Sequence, residues 1–61
     1  MNNPGKEILI EFVVQGSVAK VTAIDPVTGI EACIVGPANA GQLALSEAAR
    51  RKLDYVLKKK G

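Results

Sequence analysis

Chemistry needs side chains that move protons, attack carbon, hold a metal or cradle an anion, and this sequence is sparing with all four. It has no histidine, which removes the usual general base, metal ligand and triad partner. Its six carboxylates, Glu7, Glu11, Asp25, Glu31, Glu47 and Asp54, are spread along the chain. Glu11 and Glu31 fall in expected strands whose outer face could bring them together, and paired carboxylates can share acid–base work. Two solvated strand residues are the competing reading. The one cysteine, Cys33, lies in an apolar run, where a thiol usually packs as a small hydrophobe rather than acting as a nucleophile. A single cysteine also excludes an internal disulfide, and without histidine a structural zinc site lacks ligands. The residues therefore predict no enzyme, no catalytic residue, no cofactor and no metal.

Two further features could bind something. Gly36-Pro37-Ala38-Asn39, continuing to Gly41, leads into an expected helix, and a glycine-containing loop before a helix N-terminus can receive an anion. It matches neither the phosphate-binding loop nor the dinucleotide fingerprint, and no lysine follows at the required place. The structural alternative is a turn whose small side chains let helix and sheet approach. The second feature is charge. Through Glu47 there are two basic residues and five acidic ones, net −3; beyond it Arg50, Arg51, Lys52, Lys58, Lys59 and Lys60 face one acid, Asp54, net +5. A basic helix end can meet nucleic-acid phosphates or an acidic protein surface. It also complements the helix dipole and aids solubility. With one Phe and one Tyr, a base-stacking platform is lacking.

The elements that position these residues are organised around Glu7 to Asp25. β-branched runs on either side of Gly16-Ser17 predict a hairpin with a type II′ turn, in which Gln15 faces Val18, Val14 faces Ala19, Phe12 faces Val21 and Ile10 faces Ala23. Alternation then puts Ile8, Ile10, Phe12, Val14, Ala19, Val21 and Ala23 on one apolar face. Asp25-Pro26-Val27-Thr28-Gly29 predicts a second hairpin connection, and Gly36-Pro37 ends a third strand. The remainder predicts one helix with Asn39 as N-cap, or a later start at Ser46. On a helical wheel Leu45, Ala49, Leu53, Val56 and Leu57 share an arc of about 120°, with Ala44, Ala48 and Tyr55 extending it and Lys52 between the groups. Lys52 is expected to lift its ammonium to water. The expected fold is thus α+β: a three-stranded antiparallel meander followed by one long helix. The boundaries are a flexible tail over 1–5, strands over 6–15, 18–25 and 30–36, and a helix over 39–59.

The 61 residues allow one domain, and a chain this short closes its stability gap with staples, very regular packing or self-association. Its 48% hydrophobic content exceeds what so small a core needs, which points to a partner. Strand edges left open by a meander invite pairing or exchange of an element between copies. Strand three is the expected edge, with Ile30, Ala32, Cys33, Ile34 and Val35, beside Ala48 and Tyr55 of the helix, as candidate dimer-interface residues. The N-terminus, MNNPGKE, lacks the pattern of a signal peptide, and no apolar run approaches the length of a membrane span, so a cytoplasmic protein with no membrane partner is expected.

The segments IEF (Ile10 to Phe12), VTAID (Val21 to Asp25), Thr28, Gly29 and Glu31, IVGPANA (Ile34 to Ala40) and KLDYVL (Lys52 to Leu57) resemble a family of short bacterial proteins. Its members come mostly from alphaproteobacteria and are described only as a domain of unknown function. IVGPANA is the most distinctive part, and the resemblance spans nearly the whole chain from Glu7. It implies a small meander-plus-helix domain that forms dimers, and it implies no activity. The functional reading is a small homodimeric interaction or structural module that binds another protein. The alternative is a nucleic-acid-binding dimer that uses the basic helix end.

Overall fold

The computed structural model of the protein describes residues 7–60, without the side chain of Lys60. The tail expected over 1–5 and the expected start of the first strand at Lys6 lie outside the described residues. The elements are β1 (Leu9–Gln15), β2 (Val18–Ile24), β3 (Glu31–Pro37), a single 3-10 turn over Ala38–Ala40, and α1 (Gln42–Lys60). The strands form one antiparallel sheet in the order β1-β2-β3.

The hairpin register is the one the two-residue loop dictates, with Gln15 opposite Val18, Phe12 opposite Val21 and Ile10 opposite Ala23. Gly16 has φ +62°, the positive value that the first position of a type II′ turn requires. The second connection is held by Asp25 at both backbone and side chain. Its N–H donates to the Ile30 carbonyl at 2.9 Å, its carbonyl accepts from Gly29 N–H at 2.8 Å, and its Oδ1 accepts from Val27 N–H at 3.0 Å.

The helix begins at Gln42, not at Asn39. Gly41 adopts φ +97°, ψ 147°, which ends the 3-10 turn, and its carbonyl accepts the first helical bond from Leu45 N–H at 3.1 Å. Gly41 is therefore the N-cap residue. At Ser46, the rival starting point, the chain is already helical, and its hydroxyl donates back to the Leu43 carbonyl at 3.0 Å.

One face of α1 packs over β3 and β2. The buried core is Ala19, Val21, Ala23, Ala32, Leu45, Ala49 and Leu53, flanked by half-buried Ile8, Ile10, Phe12, Ile30, Ile34, Val56 and Leu57. Four of the seven core residues are alanines, so the layer between helix and sheet is thin. Among the described residues, only Val21, Leu45 and Leu53 are large side chains buried outright, and such side chains contribute about 1.5–3 kcal/mol each.

Candidate functional site

The functional candidates lie on three surfaces, each set by which face of the sheet or helix a residue occupies. The sheet face away from α1 carries Leu9, Glu11, Val13 and Gln15 from β1, then Val18, Lys20, Thr22 and Ile24 from β2, and Glu31, Cys33, Val35 and Pro37 from β3. Glu11 and Glu31 share this face, but β2 lies between their strands. The two-strand separation is about 10 Å before the two-residue offset along the strands is counted. They therefore do not form a carboxylate pair. Cys33 is half-buried in the same row as Glu11 and Thr22, and its thiol makes only a long contact of 4.0 Å to the next carbonyl, Ile34 O. Among the described residues, no group of three or more His, Cys, Asp and Glu side chains gathers.

The second surface is the helix. Arg50 and Arg51 stand with Glu47 and Asp54 around a shallow depression, so acids interleave the bases on this side. Lys58 pairs with Asp54 at 3.5 Å, one helical turn apart, with both side chains exposed to solvent competition. Lys59 sits 5.8 Å from the centre of the Tyr55 ring. Lys52 is on the flank next to β3, and its ammonium donates to the Cys33 carbonyl at 2.9 Å instead of reaching only into water. The basic positions are thus not one track: Lys52 and Lys59, with Tyr55, stand toward one side of α1 and Arg50 toward the other. The Lys60 side chain lies outside the described residues.

Arg50 also borders a cleft of about 290 Å³ between the β2–β3 connection and the helix, lined by Ile8, Asp25, Val27, Leu53, Asp54 and Leu57. Its floor is apolar, and its rim carries one cation and two acids. No residue proposed from the sequence as a catalytic candidate, Glu11, Glu31 or Cys33, lines it. Sequence reasoning missed this cleft because it joins Ile8, Val27 and Arg50, which are far apart in the chain and carry no motif.

The third surface is the pair of sheet edges. Of the candidate interface residues, Ala32 is buried beneath α1, and Ile30 and Ile34 pack against the core. Val35 at 67% and Tyr55 at 61% are exposed, and Ala48 is half-buried. The loop over Gly36–Asn39 is tied by Ala38 N–H to the Ser17 carbonyl at 2.8 Å and turns through the 3-10 segment. Gly36 lies under Leu45, where an added Cβ would fall 2.9 Å from Leu45 Cδ2. Small side chains there let helix and sheet meet, as the structural alternative expected.

A family model described as "Domain of unknown function (DUF6898)" matches residues 5–60. No curated protein and no solved structure matches the chain.

Proposed function

The chain belongs to that family of unknown function, so membership brings no activity with it, and we propose from its surfaces that it is a small non-enzymatic interaction module. It works as a homodimer and binds another protein. One observation carries this reading: among the described residues, more large apolar side chains are exposed than fully buried, the others being half-buried. Three large residues are buried, whereas Leu9, Val13, Val14, Val18, Val27, Val35, Leu43 and Tyr55 are all exposed. Leu9, Val13, Val18 and Val35 share the open face of the sheet, and Leu43 is 73% exposed on the helix. Scattered single apolar residues need no explanation, but a shared face on a domain this small marks a contact surface. A thin, alanine-rich core stabilises the lone chain little, and association adds stability by mass action.

Nucleic-acid binding through Arg50, Arg51, Lys52, Lys58 and Lys59 is the weaker reading. Glu47 and Asp54 stand among those bases, and phosphate binding favours an unbroken cationic track. The deciding measurement is solution mass by light scattering over a concentration series. A mass that rises from one chain to two supports the module. A single-chain mass throughout the series would remove the homodimer and leave the exposed faces for a different protein. No helix among the described residues is long and apolar enough to cross a membrane.

A further inference from the structure

The two edges of the sheet are not equivalent, and the hydrogen-bond pattern says which backbone groups each one offers. Asp25 N–H bonds Ile30 O at one end of the β2–β3 ladder, and Ala38 N–H bonds Ser17 O at the other. Bonded pairs alternate along an antiparallel ladder. Stepping inward by two makes Ala23 with Ala32, Val21 with Ile34 and Ala19 with Gly36 the bonded pairs. The remaining β2 residues then bond β1, through Leu9, Glu11, Val13 and Gln15. The outward backbone groups of β1 are therefore those of Ile10, Phe12 and Val14. Those of β3 belong to Glu31, Cys33, Val35 and Pro37.

The β3 edge is guarded. The Lys52 ammonium occupies the outward Cys33 carbonyl at 2.9 Å, and Pro37 has no N–H to offer. A lysine and a proline are the usual devices that stop an edge from pairing. No such group meets the outward groups of β1 among the described residues. Its side chains are Leu9, Glu11 and Val13 on one face and Ile10, Phe12 and Val14 on the other, with Val14 58% exposed, so Glu11 is the one charge along this edge.

We propose that a second copy of this chain pairs with the free edge of β1, antiparallel, giving a continuous six-stranded sheet with β1 of each copy at its centre. This rests on the homodimer reading and deepens it, and it replaces β3, the edge expected from sequence. The register follows too. Outward-bonding residues must face outward-bonding residues, so Ile10, Phe12 and Val14 of one copy oppose the same set in the other. A two-fold centred on Glu11 would set two Glu11 carboxylates directly opposite, where like charges repel. Centring on Phe12 overlaps all of Leu9–Gln15, gives Ile10 opposite Val14 and Glu11 opposite Val13, and allows six backbone bonds. The footprint, about 24 Å long and 10 Å thick, is below that of a standard interface. The dimer is accordingly weak and concentration-dependent.

The test mixes two chains, both carrying Cys33→Ala, one with Glu11→Cys and the other with Val13→Cys, under oxidised glutathione. These exposed positions would face each other as a non-bonded pair with Cα atoms about 4.5 Å apart, within disulfide reach. Circular dichroism first verifies that both variants keep the native spectrum. The expected result is a mixed disulfide that predominates over both homodisulfides and is lost when Val35→Cys replaces Val13→Cys. A Glu11→Cys or Val13→Cys homodisulfide as the main product would overturn the register. Linkage only through Val35→Cys would overturn the choice of edge. A dimeric mass without any of these crosslinks would overturn the β1 pairing and leave the homodimer standing, whereas a monomeric mass would remove both.

Discussion

Replacing Gly36 with alanine separates two effects of opposite sign. Gly36 lies on the helix-facing side of β3, and its φ is not among the positive values in the chain. At such a position Gly→Ala ordinarily stabilises a protein by about 0.4–1 kcal/mol, because the unfolded chain loses freedom. The structure reverses the sign. The new Cβ would stand 2.9 Å from Leu45 Cδ2, and Leu45 is buried in the core, with little room to turn away. Overpacking of this kind costs about 1–3 kcal/mol, so the net change is a loss of roughly 0.5–2 kcal/mol. That corresponds to a fall in Tm of several degrees, since 1 kcal/mol shifts a domain of this size by about 4–8 °C. The assay is thermal and urea unfolding at one fixed protein concentration, so that association does not confound the comparison. A second variant, Leu45→Val, shortens the side chain that clashes. The double variant should lose less than the sum of the two single losses, because the two residues touch. A Gly36→Ala protein as stable as the parent, or more so, would refute the close approach of helix and sheet at this point.

Two other substitutions test the guard on β3 and the start of the helix. Lys52→Met keeps much of the apolar stem but removes the donor to Cys33 O. The expected stability loss is under about 1 kcal/mol, because the group is exposed, while sedimentation at high concentration should show species larger than a dimer as the β3 edge opens. Gly41→Ala forces a side chain into φ +97°, ψ 147°, a region that L-residues avoid. It should cost about 1–3 kcal/mol in a urea titration, the range for such backbone strain.

Most of the fold was legible because it is written in local signals. The β1–β2 register follows from Gly16-Ser17 being a two-residue turn, and the Asp25 to Gly29 connection carries its own side-chain and backbone bonds. The apolar arc of Leu45, Ala49 and Leu53 named the face of the helix that packs. The helix start was misplaced by three residues because Asn39 is a good capping type, whereas the actual cap depends on the conformation of Gly41. Lys52 illustrates the larger limit. On the wheel it was a charge caught between apolar groups, and only the lateral position of α1 over β2 and β3 places its ammonium on a β3 carbonyl.

That lateral position also links the core to the edges. A core of four alanines and three larger residues lets α1 lie close to the sheet, and one helix about 10 Å wide covers two strands spaced about 4.8 Å apart, not three. The uncovered strand is β1, where Phe12 stays half-buried and Val14 is exposed on the inner face. The same offset brings Lys52 over the opposite edge. Covering β2 and β3 therefore guards one edge and leaves the other open, and both follow from a single helix centred off the middle of a three-stranded sheet. Pairing through β1 completes the hydrogen bonding of the strand that the helix does not cover. A change that recentred α1 over β2 would expose Cys33 O and shelter Val14 together, so the two edges should respond to mutation in opposite directions.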